Sequence, residues 1–119
     1  MLKRNSSTPE SHNLINDSTR IQGIIESNES LRIDGTVEGD IRCSARLVIG
    51  KNAHIQGNIV CQHLELLGNI SGDVLAENSC TLRATAVLKG ILNAALLSVE
   101  NGAQFHGKCT MLDAKSVEQ

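Results

Sequence analysis

A glycine returns along this chain at nearly fixed intervals: Gly23, Gly39, Gly57, Gly72, Gly90 and Gly107. The successive spacings are 16, 18, 15, 18 and 17 residues, a mean of about 17 that fits one coil of a β-solenoid better than any helical repeat. The columns around this glycine hold one residue type each. Two positions before it stand Ile21, Val37, Ile55, Ile70, Leu88 and Phe105; two after it stand Ile25, Ile41, Ile59, Val74, Leu92 and Cys109. Four before it the residues are small (Gly35, Ala53, Gly68, Ala86, Ala103), and four after it come Cys43, Cys61, Ala76, Ala94 and Met111. A period of two with one apolar face is the signature of a half-buried strand.

Between these columns the residues are mostly polar: Glu38, Gln56, Ser71, Lys89 and His106 just before the glycine, Asp40, Asn58, Asp73 and Lys108 just after it. Those positions face water. A second apolar strand recurs in every coil as Leu31 and Ile33, Leu47 and Ile49, Leu64 and Leu66, Cys80 and Leu82, and Leu97 and Val99. Three short strands per coil around an aliphatic triangle are therefore expected, six coils lying between about residues 19 and 112. The uneven spacing is assigned to one corner of variable length, where Gly50 and Gly102 supply torsional freedom. Residues 1–18 are expected to be a disordered tail, and residues 113–119 a short polar one.

Composition narrows the function. Hydrophobic residues make up 40% of the 119, yet Phe105 is the single aromatic, so aliphatic side chains must do the packing. A formal net charge of −2 with interspersed signs offers no field for a phosphate backbone, and nucleic acid is not an expected partner. No stretch approaches the roughly 18 apolar residues of a membrane span. Cys43, Cys61, Cys80 and Cys109 form no CxxC pair, which points to a reducing, cytoplasmic setting and to core packing over zinc ligation. No nucleotide or nucleophile motif occurs, so no enzyme activity, cofactor or small-molecule substrate is expected.

A solenoid whose first and last coils are uncovered presents unpaired backbone groups at both ends. The polar tails offer no packed cap, and pairing with further copies through the terminal coils follows. The residues placed at that contact are Ile21 and Ile25 in the first coil and Phe105, Cys109 and Met111 in the last. Outward-facing Val48, Val60, Leu75 and Ile91 mark a candidate lateral or partner surface.

The blocks Leu31-Arg32-Ile33-Asp34-Gly35-Thr36-Val37-Glu38-Gly39-Asp40-Ile41 and Leu47-Val48-Ile49-Gly50-Lys51-Asn52-Ala53-His54-Ile55-Gln56-Gly57-Asn58-Ile59 closely resemble the bactofilin family. The resemblance implies an all-β, right-handed triangular parallel β-helix and nucleotide-independent filaments joined through the coil ends. It also implies roles in cell shape or in localising cell-wall synthesis or hydrolysis enzymes. Many members carry an apolar and basic N-terminal peptide that contacts the inner membrane, and Met1-Leu2-Lys3-Arg4 resembles a compact version, which places the protein peripherally on that membrane's cytoplasmic face. Two alternatives stay open. One is a trimeric enzyme of the left-handed hexapeptide type, acyltransferase or carbonic anhydrase-like, since Ile49, Ile55 and Cys61 show a local period of six. The other is a binding module whose ends a partner covers.

Overall fold

The structure is a computed structural model and describes residues 12–111. Within them lie twelve strands and no helix: β1 (His12–Ile15), β2 (Arg20–Gln22), β3 (Ile25–Ser27), β4 (Ser30–Ile33), β5 (Thr36–Glu38), β6 (Ile41–Ile49), β7 (His54–Gln56), β8 (Ile59–Leu66), β9 (Asn69–Ser71), β10 (Val74–Leu82), β11 (Val87–Val99) and β12 (Gln104–Met111). Every pairing is parallel and joins a strand to its equivalent about one coil away. The result is a parallel β-solenoid of six coils with three faces. Face one stacks β2, β5, β7, β9 and the starts of β11 and β12. Face two stacks β3, the first halves of β6, β8 and β10, the middle of β11 and the end of β12. Face three stacks β1, β4 and the second halves of β6, β8, β10 and β11.

The apolar columns become the interior. Ile33, Val37, Ile41, Leu47, Ile49, Leu66, Leu82, Leu88 and Leu92 are wholly enclosed, and no polar or charged side chain is buried among the described residues. Each enclosed Val, Leu or Ile contributes about 1.5–3 kcal/mol relative to exposure.

The recurring glycine is a corner between faces one and two, although β11 and β12 run through it unbroken at Gly90 and Gly107. Gly23, Gly39, Gly57, Gly72, Gly90 and Gly107 all have φ between 137° and 152°, a region closed to side-chain-bearing residues. From Gly39 onward a Cβ would also run into the carbonyl oxygen of the equivalent glycine one coil earlier. The two apolar columns flanking the glycine thus belong to different faces, folded about a contact only a hydrogen atom fits. Gly102 does supply a left-handed torsion, at φ 100°. Gly50 does not: its φ is not left-handed, and the nearest obstacle to a Cβ there is the Asp34 carboxylate, the movable end of a side chain.

Uneven coil length has two sources. Long corners close with a turn in which Thr19, Ala53, Ala86 and Ala103 donate N–H to the carbonyls of Asn16, Gly50, Arg83 and Glu100. In addition, the ladders shift register between Cys43 and Arg46 and between Ala76 and Ser79, one-residue bulges between faces two and three. The sequence reading saw only the corner. It also placed residues 1–18 in a tail, whereas β1 pairs with β4 from His12↔Ser30 to Ile15↔Ile33 and the solenoid begins by residue 12. A polar stretch with one apolar inward position, Ile15, was too short to register as a strand.

Substitution at the glycine column separates torsion from contact. At Gly23 nothing lies within 4 Å of where a Cβ would stand, so Gly23→Ala bears only torsional strain, about 1–3 kcal/mol. Gly57→Ala adds the collision with Gly39 and is expected to be destabilised by at least about 2 kcal/mol more. Guanidinium unfolding of the two variants, followed by far-ultraviolet circular dichroism, measures the difference.

Candidate functional site at the coil ends

Interior coils pair on both sides, but the end coils pair on one. At the N-terminal end β1, β2 and β3 each have a single partner, β4, β5 and β6. At the C-terminal end β12 pairs only with β11, and Leu96–Val99 of β11 only with β10. Each end therefore offers one open edge per face, with backbone donors and acceptors turned outward among the described residues.

Apolar side chains fill the middle of each end. Ile15, Ile21 and Ile25 are half-buried against the core at the N-terminal end; Leu97, Ala103 and Phe105 are so at the other. Beside Phe105, Cys109 is exposed, Met111 is 39% exposed and Val99 is 56% exposed. The five contact residues expected from sequence thus divide between two surfaces: Ile21 and Ile25 on one, Phe105, Cys109 and Met111 on the other. Cys109 occupies an inward column yet meets solvent, because no described coil follows it.

Sequence reasoning missed Ile15, Leu97 and Val99. Ile15 was lost with the misplaced tail. Leu97 and Val99 read as one more interior pair; the usable signal was that about one coil later the sequence offers only Ala114 and Ser116.

The two ends are in phase. Val99 and Ile15, Phe105 and Ile21, Gly107 and Gly23, and Cys109 and Ile25 hold equivalent places five coils apart, and both end coils carry a long corner, Glu100–Ala103 and Asn16–Thr19. The end corners differ in charge. Arg83 bonds the Glu100 carboxylate at 2.6 Å and Glu65 at 2.9 Å, and Arg46 lies 3.8 Å from Glu65. That stripe of alternating charge runs to the C-terminal rim, where Arg83 holds the Glu100 carboxyl below its ordinary range.

Among the described residues no set of three His, Cys, Asp or Glu side chains gathers as metal ligands. His54 and His106 are exposed on face one, and His63 shares a 2.8 Å hydrogen bond between Nδ1 and Ser79 Oγ. Met1, Leu2, Lys3 and Arg4 lie outside the described residues.

Residues 13–110 match the bactofilin family, described as polymer-forming cytoskeletal. Bactofilin BacO of Myxococcus xanthus is 29% identical over 82% of this chain and 78% of its own length. Bactofilin BacP of the same organism is 24% identical over 86% of this chain, which spans 42% of that protein. Among solved structures, the cytoskeletal bactofilin BacA, determined by solid-state NMR, superposes with a TM-score of 0.77 at 27% identity, over 86% of this chain and 97% of that one. The bactofilin of Thermus thermophilus, seen by cryo-electron microscopy in double helical filaments, superposes with a TM-score of 0.75 at 27% identity, over 82% and 97%.

The end surface differs chemically from the core in its thiols. Cys43, Cys61 and Cys80 are buried, and burial pushes the Cys61 and Cys80 thiols up to about 12, so neither supplies thiolate near neutral pH. A soluble maleimide at pH 8 is expected to modify one thiol per unassembled native chain, Cys109, and four after guanidinium unfolding. Mass spectrometry of the labelled chain checks both counts.

Proposed function

Because the chain belongs to the bactofilin family, we propose that its copies join through the two open ends into nucleotide-independent filaments that act as a cytoskeletal scaffold. The observation that carries this reading is the pair of uncovered parallel edges, each with an aliphatic centre. Such an edge offers another copy both backbone hydrogen bonds and apolar contact in the geometry each coil already uses internally. No nucleotide is needed, since the driving terms are those that stack one coil on the next. The likeness to bactofilins favours the scaffold over the hexapeptide-type enzyme.

Within this reading Ile15, Ile21 and Ile25 form the contact surface of one end and Leu97, Val99, Phe105, Cys109 and Met111 that of the other. Phe105 anchors the second, as the one aromatic and the largest apolar group on either end. Filaments of this chain pair side by side, as those of the Thermus thermophilus relative do in double helical filaments. Met1-Leu2-Lys3-Arg4 holds the polymer against the inner membrane: two apolar and two basic residues bind weakly alone, and a filament displays many copies. The scaffold serves cell shape or the placement of cell-wall enzymes.

Negative-stain electron microscopy of the purified chain, without nucleotide and with chelator, tests the central claim; filaments are expected, and uniform compact trimers would overturn it. Phe105→Arg places a charge at the centre of the C-terminal contact and is expected to raise the critical concentration roughly 30-fold or more, the equivalent of a hot-spot loss of about 2 kcal/mol. Deleting residues 2–4 is expected to leave filaments intact and to reduce their pelleting with anionic liposomes.

A further inference from the structure

Where face two turns into face three the ladders carry both bulges, between Cys43 and Arg46 and between Ala76 and Ser79. Beside them the surface sinks into a groove of about 270 Å³ that runs down the rod from Asn28 in the coil of β3 to Glu77 in the coil of β10. It is smaller than the about 300–1,000 Å³ of most small-molecule sites, and its length suits a strip of extended chain. Glu26 and Arg42 stand in register at its near half. Val60, 38% exposed, lies further down, with Gln62 and Glu77 beside it. Of the other outward aliphatics on this side, Val48 and Leu75 are half-buried.

The charges in the groove lack the partners found elsewhere on the rod. Arg20, Arg32, Arg46 and Arg83 each face a carboxylate, whereas Arg42 makes no hydrogen bond or ion pair among the described residues, and neither does Glu26 beside it. Glu77 accepts one hydrogen bond, from Gln62 Nε2 on Oε1, and no cation stands against it. The near half is therefore neutral in sum, with unused guanidinium donors, and the far half is acidic next to an exposed valine. Local rules broken without local gain concentrate at functional surfaces.

We propose that residues 1–11 of this chain dock in the groove of their own rod, and that the docked state withholds Met1-Leu2-Lys3-Arg4 from the membrane; this rests on the membrane reading of that peptide given above. The path of the chain carries the proposal. His12, the first described residue, pairs with Ser30, two positions beyond Asn28, so residues 1–11 join the rod at the head of the groove. From β1 to β10 is four strand steps, about 19 Å at roughly 4.8 Å each. The stretch from Arg4 to His12 extends to about 26 Å, enough to bring Arg4 level with Glu77. The order of residues matches the order of the groove. The uncharged run Asn5-Ser6-Ser7-Thr8-Pro9 passes the neutral half, where Arg42 donates to its carbonyls. Lys3 and Arg4 meet the carboxylate of Glu77, and Leu2 covers Val60. Glu10 stays within two residues of His12 whether the segment is docked or free, so its charge does not weigh on the balance. Groove and bilayer then compete for the same three side chains, and each contact is weak enough to be exchanged.

The test uses the full chain carrying Leu2→Cys with Val60→Cys, and as its control Leu2→Cys with Thr81→Cys, which lies on face three within the same reach. After mild oxidation of mixed light and isotope-labelled chains, peptide mapping is expected to find position 2 linked to position 60 several-fold more than to position 81, and within single chains. Equal linkage at the two positions, or linkage between a light and a heavy chain, would overturn the docking. The second arm is pelleting with vesicles of phosphatidylethanolamine and phosphatidylglycerol. Val60→Ser and Arg42→Gln change exposed side chains, so native melting is expected, and each is expected to raise the bound fraction roughly two- to five-fold, the range of one lost exposed contact. For Arg42→Gln the sign is decisive, because losing a positive charge would by itself weaken binding to an anionic surface. Unchanged or reduced pelleting would overturn the withholding. Native filaments that never pellet, while position 2 still links to position 60, would sink the membrane reading and the withholding with it, leaving the docked segment established.

Discussion

Parallel stacking of backbone on backbone at the glycine corner is the contact on which the rest of this molecule depends. Each coil can satisfy its N–H and C=O groups only through the coils above and below, and successive corners approach so closely that a single Cβ would strike the preceding carbonyl. Once the corner is fixed, the apolar residues two positions to either side must both point inward, onto different faces. The triangular interior then follows, and so does its need for small aliphatic side chains. A Trp or Tyr would require room and a polar partner that no interior position provides. The same logic leaves an open edge at the first and last described coils, each of which repeats the pairing groups of its neighbour.

Legibility in the sequence tracks how strictly stacking constrains a position. The columns led by Val37, Ile41 and Leu47 were readable without structure, since each inward site admits only aliphatic residues and recurs in every coil. Places where stacking tolerates variation were not readable. The bulges near Ala45 and Asn78 leave no mark on the alternation of apolar residues, and their extra residue was charged to the corner. Strand β1 escaped because one inward residue, Ile15, in a polar context carries no periodicity. Gly50 was assigned a torsional role it does not have, since its φ is not left-handed and only the movable Asp34 carboxylate crowds it. At the ends, Phe105 was legible as an anomaly in its column, whereas Leu97 and Val99 look the same as interior pairs and differ only in what fails to follow them.

The outward positions carry more order than a solvated face needs. Asp40, Asn58 and Asp73 read as polar residues facing water, and they do, but each also receives the backbone N–H that the next glycine corner turns out of the strand ladder. Exposed hydrogen bonds of this kind contribute about 0.5–1.5 kcal/mol each, and their repetition pins the least regular part of the backbone. The ion-pair stripe from Arg46 to Glu100 belongs to another class. Its members are largely exposed, and exposed pairs add little to stability; its consequence is to place a fixed charge pattern on one rim of the C-terminal end.

Ends and side of the rod therefore differ in kind, and the difference sets an order of events. An end offers a directional array of backbone groups around an apolar centre, terms large enough to act between two single subunits. The side offers a few partly covered aliphatics, Val60 and Ile91 among them, on a charged field, too little to hold two single subunits together. Growth by the ends raises the number of side contacts per particle without changing any one of them. Under the filament reading, any weak contact along the side is multiplied by length, so the stacking rule that leaves the described ends open also decides when the side begins to matter.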